Sequence, residues 1–473
     1  MKNNQYLEHK IKEIVSKVQP SASIHGDFNT YIALYELASI PEWRKTEFER
    51  IEFISKRLDI SKKLFTAYLS NGRKAVDTEI TDDLYLELLV AILLKFATIS
   101  QDNVTTEIQL KRFNTLFKAL DLVQPEWLLP ETELGVKIES AWQSILQDLS
   151  SASSVLKITS PPNLTTNNND CKIIPLTVLF YEGPIARAYL ATLKSLGFRP
   201  KKIIELVAAK DVVTKKFVGK WLPRGLRLSY AASIQQNKIH YWPKRLIKDN
   251  SDFVDNILNE VEKEFGFESA VIRDANTLSP LSAYSDCVES ILIEGLTDNE
   301  LYQYLLKEPV GAILFTGGGI VPATLLALKH LKFLHVHPGF LPDIRGADCA
   351  LWSSLITGHT SATCFYMSPG IDTGDIINPY WLPSLSFNTN IKNIDRQSIY
   401  RAVYGFLDPW VRAFVLRDII FSNNNYEALA SIPQSEEDGA TFHFMHQRLR
   451  NASFEILFKV PDRGSVNPTP LGG

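Results

Sequence analysis

The chain has 473 residues, 45% of them hydrophobic, and a formal net charge of −3. That length points to two or three domains with enough apolar material for packed cores, and that charge gives the molecule as a whole no attraction to DNA, RNA or an anionic membrane surface. The scattered Cys171, Cys287, Cys349 and Cys364 supply neither a disulfide framework nor a CxxC metal site, and fit a reducing cytoplasm.

Residues 1–150 read as an all-α N-terminal domain. Phe48, Ile51, Phe53, Ile54 and Leu58 recur at helical spacing. Thr81-Asp-Asp83 opens a further helix with acid at the positive end of its dipole, and residues 110–122 and 134–149 repeat the pattern. The opening Met1-Lys-Asn-Asn-Gln-Tyr6 lacks the apolar core of a signal peptide. The most apolar run, 84–99, carries Glu87 and Lys95 and reads as a buried helix, not a membrane span. A cytoplasmic location is expected.

Residues 151–170 read as a linker, since Pro161-Pro162 and Asn167-Asn-Asn-Asp170 bury little. The texture then changes. A strand over 173–181, the break Glu182-Gly-Pro184, a helix over 185–196 and a strand over 202–208 make a βαβ unit, hence a parallel sheet. Residues 211–250, with Trp221-Leu-Pro-Arg-Gly225 and Tyr241-Trp-Pro-Lys244, read as an irregular insertion. The basic pairs Lys201-Lys202 and Lys215-Lys216 read as solvated faces. A helix follows over 252–265, and Thr297-Asp-Asn-Glu300 forms a capping box for another. Next come a strand over 310–316, Gly317-Gly-Gly319, a helix from Pro322 to His330 and a strand over 333–337. This alternation over 171–390 predicts an α/β fold, an open, doubly wound, mostly parallel sheet that binds ligands beyond its carboxyl strand ends. Residues 391–473 read as a C-terminal extension, with one or two helices over 390–430, a strand over 451–460 and a loose tail from 464.

The chemistry-bearing residues gather in two places. His335 and His337 close an apolar run just before Pro338-Gly339, so in a strand both imidazoles point to one side. About 35 residues later stands Gly370-Ile-Asp-Thr-Gly-Asp375, a tight loop with two carboxylates. Two imidazoles and a carboxylate suit acid–base work on a carbonyl-like centre. They also suit a metal-dependent hydrolase with His335, His337, and Asp372 or Asp375 as ligands. His443-Phe-Met-His446 reads first as a surface or packing pair, with added metal ligands or an acceptor-pocket lining as the alternatives. Cys349 and Cys364 read as small packing residues, and His330 and His359 as turn residues.

The run His335-Val-His-Pro-Gly-Phe-Leu-Pro342, followed by Arg345-Gly-Ala347 and the 370–375 loop, resembles the folate-dependent formyltransferases. That group includes the methionyl-tRNA, glycinamide-ribonucleotide and amino-sugar formyltransferases. The resemblance is specific over roughly 305–383 and extends weakly back to 173. The family signature is Asn-x-His-Pro-Ser-x-Leu-Pro, then Arg-Gly-Ala, then Gly-x-Asp-x-Gly. By that match His337 takes the place of the catalytic His and Asp372 that of the catalytic Asp. His335 stands where the family has its catalytic Asn, and Gly339 where it has Ser. The resemblance implies formyl transfer from 10-formyltetrahydrofolate to a primary amine, on a small molecule or a carrier, in a biosynthetic pathway. It implies a tetrahedral oxyanion stabilised by His335 and His337, with Asp372 assisting proton transfer and no metal.

The same match places backbone groups around the pterin ring at Gly317, Gly318, Gly319, Pro369, Gly370, Ile371, Thr373 and Gly374. Arg345 reads as a substrate-binding residue holding a phosphate or carboxylate, or as a structural ion-pair partner. The His-for-Asn exchange adds a second titratable group and implies an altered pH–rate profile. A 10-formyltetrahydrofolate deformylase and a catalytically silent folate-binding module share these motifs and stay open. No DNA or membrane partner is implied, and the N-terminal helices are a place for a protein partner. The C-terminal part lacks the basic excess of the family's RNA-binding appendage, which favours a specialised pathway over translation initiation.

Overall fold

A computed structural model describes residues 157–161 and 171–458, apart from 318, 386, 388, 390, 435–439, 443 and 446. The helices expected before residue 150, most of the expected linker, the His443/His446 pair and the tail lie outside these residues.

Seven strands form one sheet: β1 (Lys172–Tyr181), β2 (Phe198–Ala208), β3 (Val288–Ile293), β4 (Gly311–Phe315), β5 (Leu331–His337), β6 (Ser361–Tyr366) and β7 (Ile376–Trp381). Their order is β3-β2-β1-β4-β5-β6-β7. β1 to β5 run parallel, whereas β6 and β7 pair antiparallel at one edge. The sheet is therefore mixed, with a mostly parallel core. Consecutive buried residues such as Val178, Leu179 and Phe180 in β1 are what a parallel strand covered on both faces requires. Leu179, Ile204, Ile313, Phe315 and Phe333 pack on one face against Leu301, Leu305 and Leu325.

The strand order reverses between β1 and β4, which leaves a crevice at their carboxyl ends. Thr316 ties those ends together. Its Oγ1 accepts from the Tyr181 N–H at 3.0 Å and donates to the Leu179 carbonyl at 3.1 Å.

The helices are α1 (Pro184–Ser195), α2 (Arg224–Ile239), α3 (Tyr241–Asp249), α4 (Ser251–Phe265), α5 (Ser269–Thr277), α6 (Asn299–Leu306), α7 (Ala323–Leu326), α8 (Cys349–Thr357), α9 (Arg396–Ala402) and α10 (Asp408–Ser422). Four expectations need correction. Residues 211–250 hold two helices rather than an irregular insertion. α2 buries only Ala231 and Gln235, so its apolar periodicity is nearly absent from the sequence. The Gln235 amide holds it by donating to the Leu206 carbonyl and accepting from the Ala208 N–H. The helix expected to reach His330 is the four-residue α7, because the chain turns to enter β5 at Leu331, whose N–H donates to the Leu328 carbonyl. The first-turn cap of α6 is Asp298, not Thr297; its side chain accepts from the Glu300 N–H. Finally, the strand expected over 451–460 falls in a helix, Gln447–Leu457. Phe454, Leu457 and Phe458 are buried, and their spacing is helical.

Part of the expected linker joins the sheet. Ile158 bridges Trp381, and the Thr159 N–H donates to the Trp381 carbonyl at 2.9 Å. Lys202 pairs with Glu308 and Glu289 at 2.7 and 3.0 Å, whereas Lys215 and Lys216 are exposed. Among the described residues, 346–348 and 440–453 belong to a unit of their own, in which the Asp348 carboxylate accepts from the Met445 N–H. The sheet belongs to the other unit. No described helix is long and apolar enough to cross a membrane.

Candidate active site

β5 carries the site. His335 and His337 lie two apart near its carboxyl end, opposite Phe365 and Thr363 of β6, and both are buried. The His335 ring sits between Phe315 and Phe365, with centroids at 5.7 and 5.9 Å. Its Nδ1 is 3.0 Å from the Phe315 carbonyl oxygen. A carbonyl oxygen can only accept, so Nδ1 carries the hydrogen. Its Nε2 then presents a lone pair, and Arg412 Nη1 stands 3.5 Å away. Burial, with Arg412 as the next cause, pushes the His335 pKa down to about 4.

The His337 Nε2 is 2.8 Å from the Ile344 carbonyl oxygen, so by the same logic Nε2 carries a hydrogen. Its Nδ1 faces Asp372 Oδ2 at 3.3 Å. Burial lowers the His337 pKa, and Asp372 opposes that shift. Pro338 ends the strand, and Gly339 lets the chain fold back over the ring. A Cβ on Gly339 would meet the Ile344 carbonyl oxygen and lie 2.6 Å from His337 Nε2, so the glycine is a condition of that bond. Thr363 pins the turn, as its hydroxyl donates to the Gly339 carbonyl at 2.7 Å and accepts from the Leu341 N–H at 3.0 Å.

Asp372 arrives by a longer route. β6 ends with Tyr366 opposite Leu334, three residues short of His337. The loop 367–375 must fold back toward the carboxyl end of β5 for Asp372 to reach the imidazole. Gly374 permits this, since a Cβ there would collide with the Tyr366 carbonyl. Asp372 itself adopts a left-handed φ of 55°, a conformation unusual for a residue with a side chain. Gln434 holds the loop. Its amide donates to the Asp372 and Gly374 carbonyls at 2.9 and 2.5 Å, and its Oε1 accepts from Arg345 Nη2 at 2.9 Å. Arg345 is buried, with 1% exposure, and so reaches the loop through Gln434.

The other expected residues divide. Gly317 follows β4 after Thr316, and Gly319 and Ile320 beyond it are exposed; Gly318 lies outside the described residues. Thr373 Oγ1 donates to the Pro369 carbonyl at 3.1 Å, and Gly370 and Ile371 are exposed. Asp375 offers its carbonyl to the Tyr366 N–H. Cys364 is buried, which pushes its thiol up to about 12, and His359 bonds the Leu382 carbonyl. Among the described residues no three His, Cys, Asp or Glu side chains gather as a metal-holding group.

Two clusters carry no signal that the motifs above captured. One is the pair Asp408–Arg412 on α10, with Asp408 Oδ2 and Arg412 Nε 3.0 Å apart. A carboxylate and a guanidinium four apart inside Trp410-Val411, Ala413-Phe414-Val415-Leu416 are a readable sign of a buried ion pair. The other cluster follows β1. Glu182 accepts from Arg187 Nε and Nη2, at 2.9 and 2.6 Å, together with His240, Gln236 and the Gly183 N–H. Its side-chain partners come from 5 to 58 residues away, and no local spacing announces them.

No family model matches the chain. Among curated proteins, the methionyl-tRNA formyltransferase of Syntrophus aciditrophicus (strain SB) is 38% identical over 86 residues, which is 18% of this chain and 27% of that protein. The methionyl-tRNA formyltransferase of Clostridioides difficile (strain 630) is 40% identical over 62 residues, 13% of this chain and 20% of that protein. The chain thus spans about a quarter of the length of the curated relatives it matches. Similar solved structures include a sugar N-formyltransferase from Shewanella sp. (13% identity, 61% of this chain and 89% of that one, TM-score 0.30). A phosphoribosylglycinamide formyltransferase from Anaplasma phagocytophilum is another (12% identity, 53% and 89%, TM-score 0.29). The resemblance read from the motifs and these sequence matches name the same family.

Proposed function

We propose that this chain transfers a formyl group from 10-formyltetrahydrofolate to a primary amine, on a small molecule or a carrier, as a step in biosynthesis. The observation that supports this most is the His337–Asp372 pair, with Nδ1 and Oδ2 3.3 Å apart, in a chain that shares 38% identity over 86 residues with a methionyl-tRNA formyltransferase. The donor, when bound, supplies an activated formyl carbon. The loops fit such a ligand: Gly319, Ile320, Gly370 and Ile371 expose small or apolar groups on loops that follow β4 and β6, and Arg345 and Gln434 brace the second of them.

The protein's own groups then handle one proton. The attacking amine must lose it, and the base is the His337 Nδ1–Asp372 Oδ2 pair, whose 3.3 Å edge is where that proton is taken up. Nε2 is tied to Ile344, so the imidazole cannot rotate away. Asp372, 18% exposed and the most open member of the cluster, stabilises the imidazolium as it forms. Once Nδ1 holds the proton beside Asp372, the imidazolium offsets negative charge developing on the carbonyl oxygen, and as the formyl C–N bond breaks the proton passes to the departing tetrahydrofolate nitrogen. His335, expected to share in stabilising the oxyanion, has its ring nitrogens against the Phe315 carbonyl and Arg412, and in this reading it keeps the neighbouring position filled and neutral. The metal-dependent reading finds less support, because both ring nitrogens of His335 already face a carbonyl and a guanidinium.

The test is incubation with 10-formyltetrahydrofolate and amino sugars, aminoacyl compounds or peptide amines, reading tetrahydrofolate release. Amine-dependent release that Asp372→Asn strongly slows is expected. Release without amine means a deformylase, and no release from folded protein with any amine class overturns the proposal.

A further inference from the structure

Arg412 reaches the histidine pair from α10. On α10 its neighbours Trp410, Val411, Ala413 and Phe414 are buried. Its Nε pairs with Asp408, which is fully buried, and its Nη1 donates to the Val336 carbonyl at 2.9 Å. The same Nη1 stands 3.5 Å from His335 Nε2. Across the ring, Nδ1 meets the Phe315 carbonyl. A carbonyl only accepts and a guanidinium only donates, so both neighbours select one state of the ring, hydrogen on Nδ1 and lone pair on Nε2. A proton on Nε2 would face the guanidinium, cation against cation, in a largely buried site.

The other charged and titratable groups around this ring do not reverse that choice. His337 on β5 adds to the opposition and Asp372 on the folded-back loop opposes it, both with less effect than Arg412. Asp408, Tyr189 of α1 and Tyr404 act on Arg412 and favour its charged form.

We propose that Arg412, anchored by Asp408, is a positioning residue that locks His335 as the neutral tautomer protonated on Nδ1, leaving His337 as the one histidine of the pair that exchanges protons. The inference deepens the formyl-transfer reading and rests on it only where turnover is measured. It implies a pH–rate profile with a single histidine ionisation, although the motif holds two histidines.

The test uses the full chain labelled with nitrogen-15 in histidine, with His335→Gln identifying the signal. The expected spectrum shows His335 protonated on Nδ1 alone and unchanged between about pH 5 and 8, where an ordinary histidine titrates. In the double variant Asp408→Asn/Arg412→Met, which leaves no buried charge alone, His335 is expected to titrate within that range. The pH–rate profile should then gain a second ionisation, and Arg412→Lys should keep the single one. A wild-type His335 that is doubly protonated or protonated on Nε2 at neutral pH overturns the proposal, and that outcome is decisive even if the variants fail to fold. So does a double variant whose His335 spectrum matches the wild type. The spectrum needs no turnover, so it tests the role of Arg412 even in a chain that transfers no formyl group.

Discussion

At the scale of single residues, the site depends on one glycine and one proton. Gly339 lies under the His337–Ile344 bond, where even a methyl group meets the Ile344 carbonyl. Gly339→Ala or Gly339→Ser should cost about 1–3 kcal/mol by urea unfolding and lower the transfer rate as well, because the ring loses its anchor. The family's Ser at this position is therefore incompatible with the turn as built here. Asp372→Asn and His337→Asn should each slow transfer by about 10²–10⁴-fold with KM for the donor little changed, measured by tetrahydrofolate release under saturating amine. His335 and His337 were legible as a pair because strand periodicity places i and i+2 together. Arg412, 77 residues from His335, and Gln434, 62 residues from Asp372, were not, because their partners are chosen by packing and not by spacing.

At the scale of elements, strands and their parallel pairing were legible wherever apolar runs alternated with helical ones. Legibility failed where an element is held by polar contacts. α2 buries little and hangs from β2 by one glutamine, so no apolar stripe marked it. The Glu182 cluster after β1 belongs to the same class. Its carboxylate is nearly closed to solvent and takes a bidentate Arg187 together with His240. Burial raises its pKa, but the bonds from His240 and Arg187 outweigh it and bring the value down to about 2. Glu182→Ala leaves Arg187 buried and unpaired, and should cost about 3–5 kcal/mol. If equilibrium unfolding shows less than about 1 kcal/mol, the cluster contributes as a surface pair would.

At the scale of the whole molecule, two of these groups predict an acid response in stages. The folded His335 has its pKa depressed from 6.5 to about 4, so the unfolded chain binds that proton more readily. Stability from His335 is full above pH 6.5 and falls as the pH drops toward 4. Glu182 is depressed from 4.5 to about 2, so its contribution is full above pH 4.5 and falls between there and 2. Each shift corresponds to on the order of 3 kcal/mol. Urea midpoints measured against pH should decline over both windows, and His335→Gln should make the upper decline shallower, with His337 still contributing to it, and leave the lower one unchanged.

The stitch of Ile158 and Thr159 onto Trp381 has a further consequence. β7 is the outermost strand on its side, and an open outermost strand is a template on which a second molecule can add its own. Ile158 occupies one end of that template, and Ile432, which bridges Ile376, occupies the other. Thr159→Pro removes the N–H that Trp381 receives. On mild heating such a protein should scatter light sooner than the wild type, its rim no longer closed to neighbours.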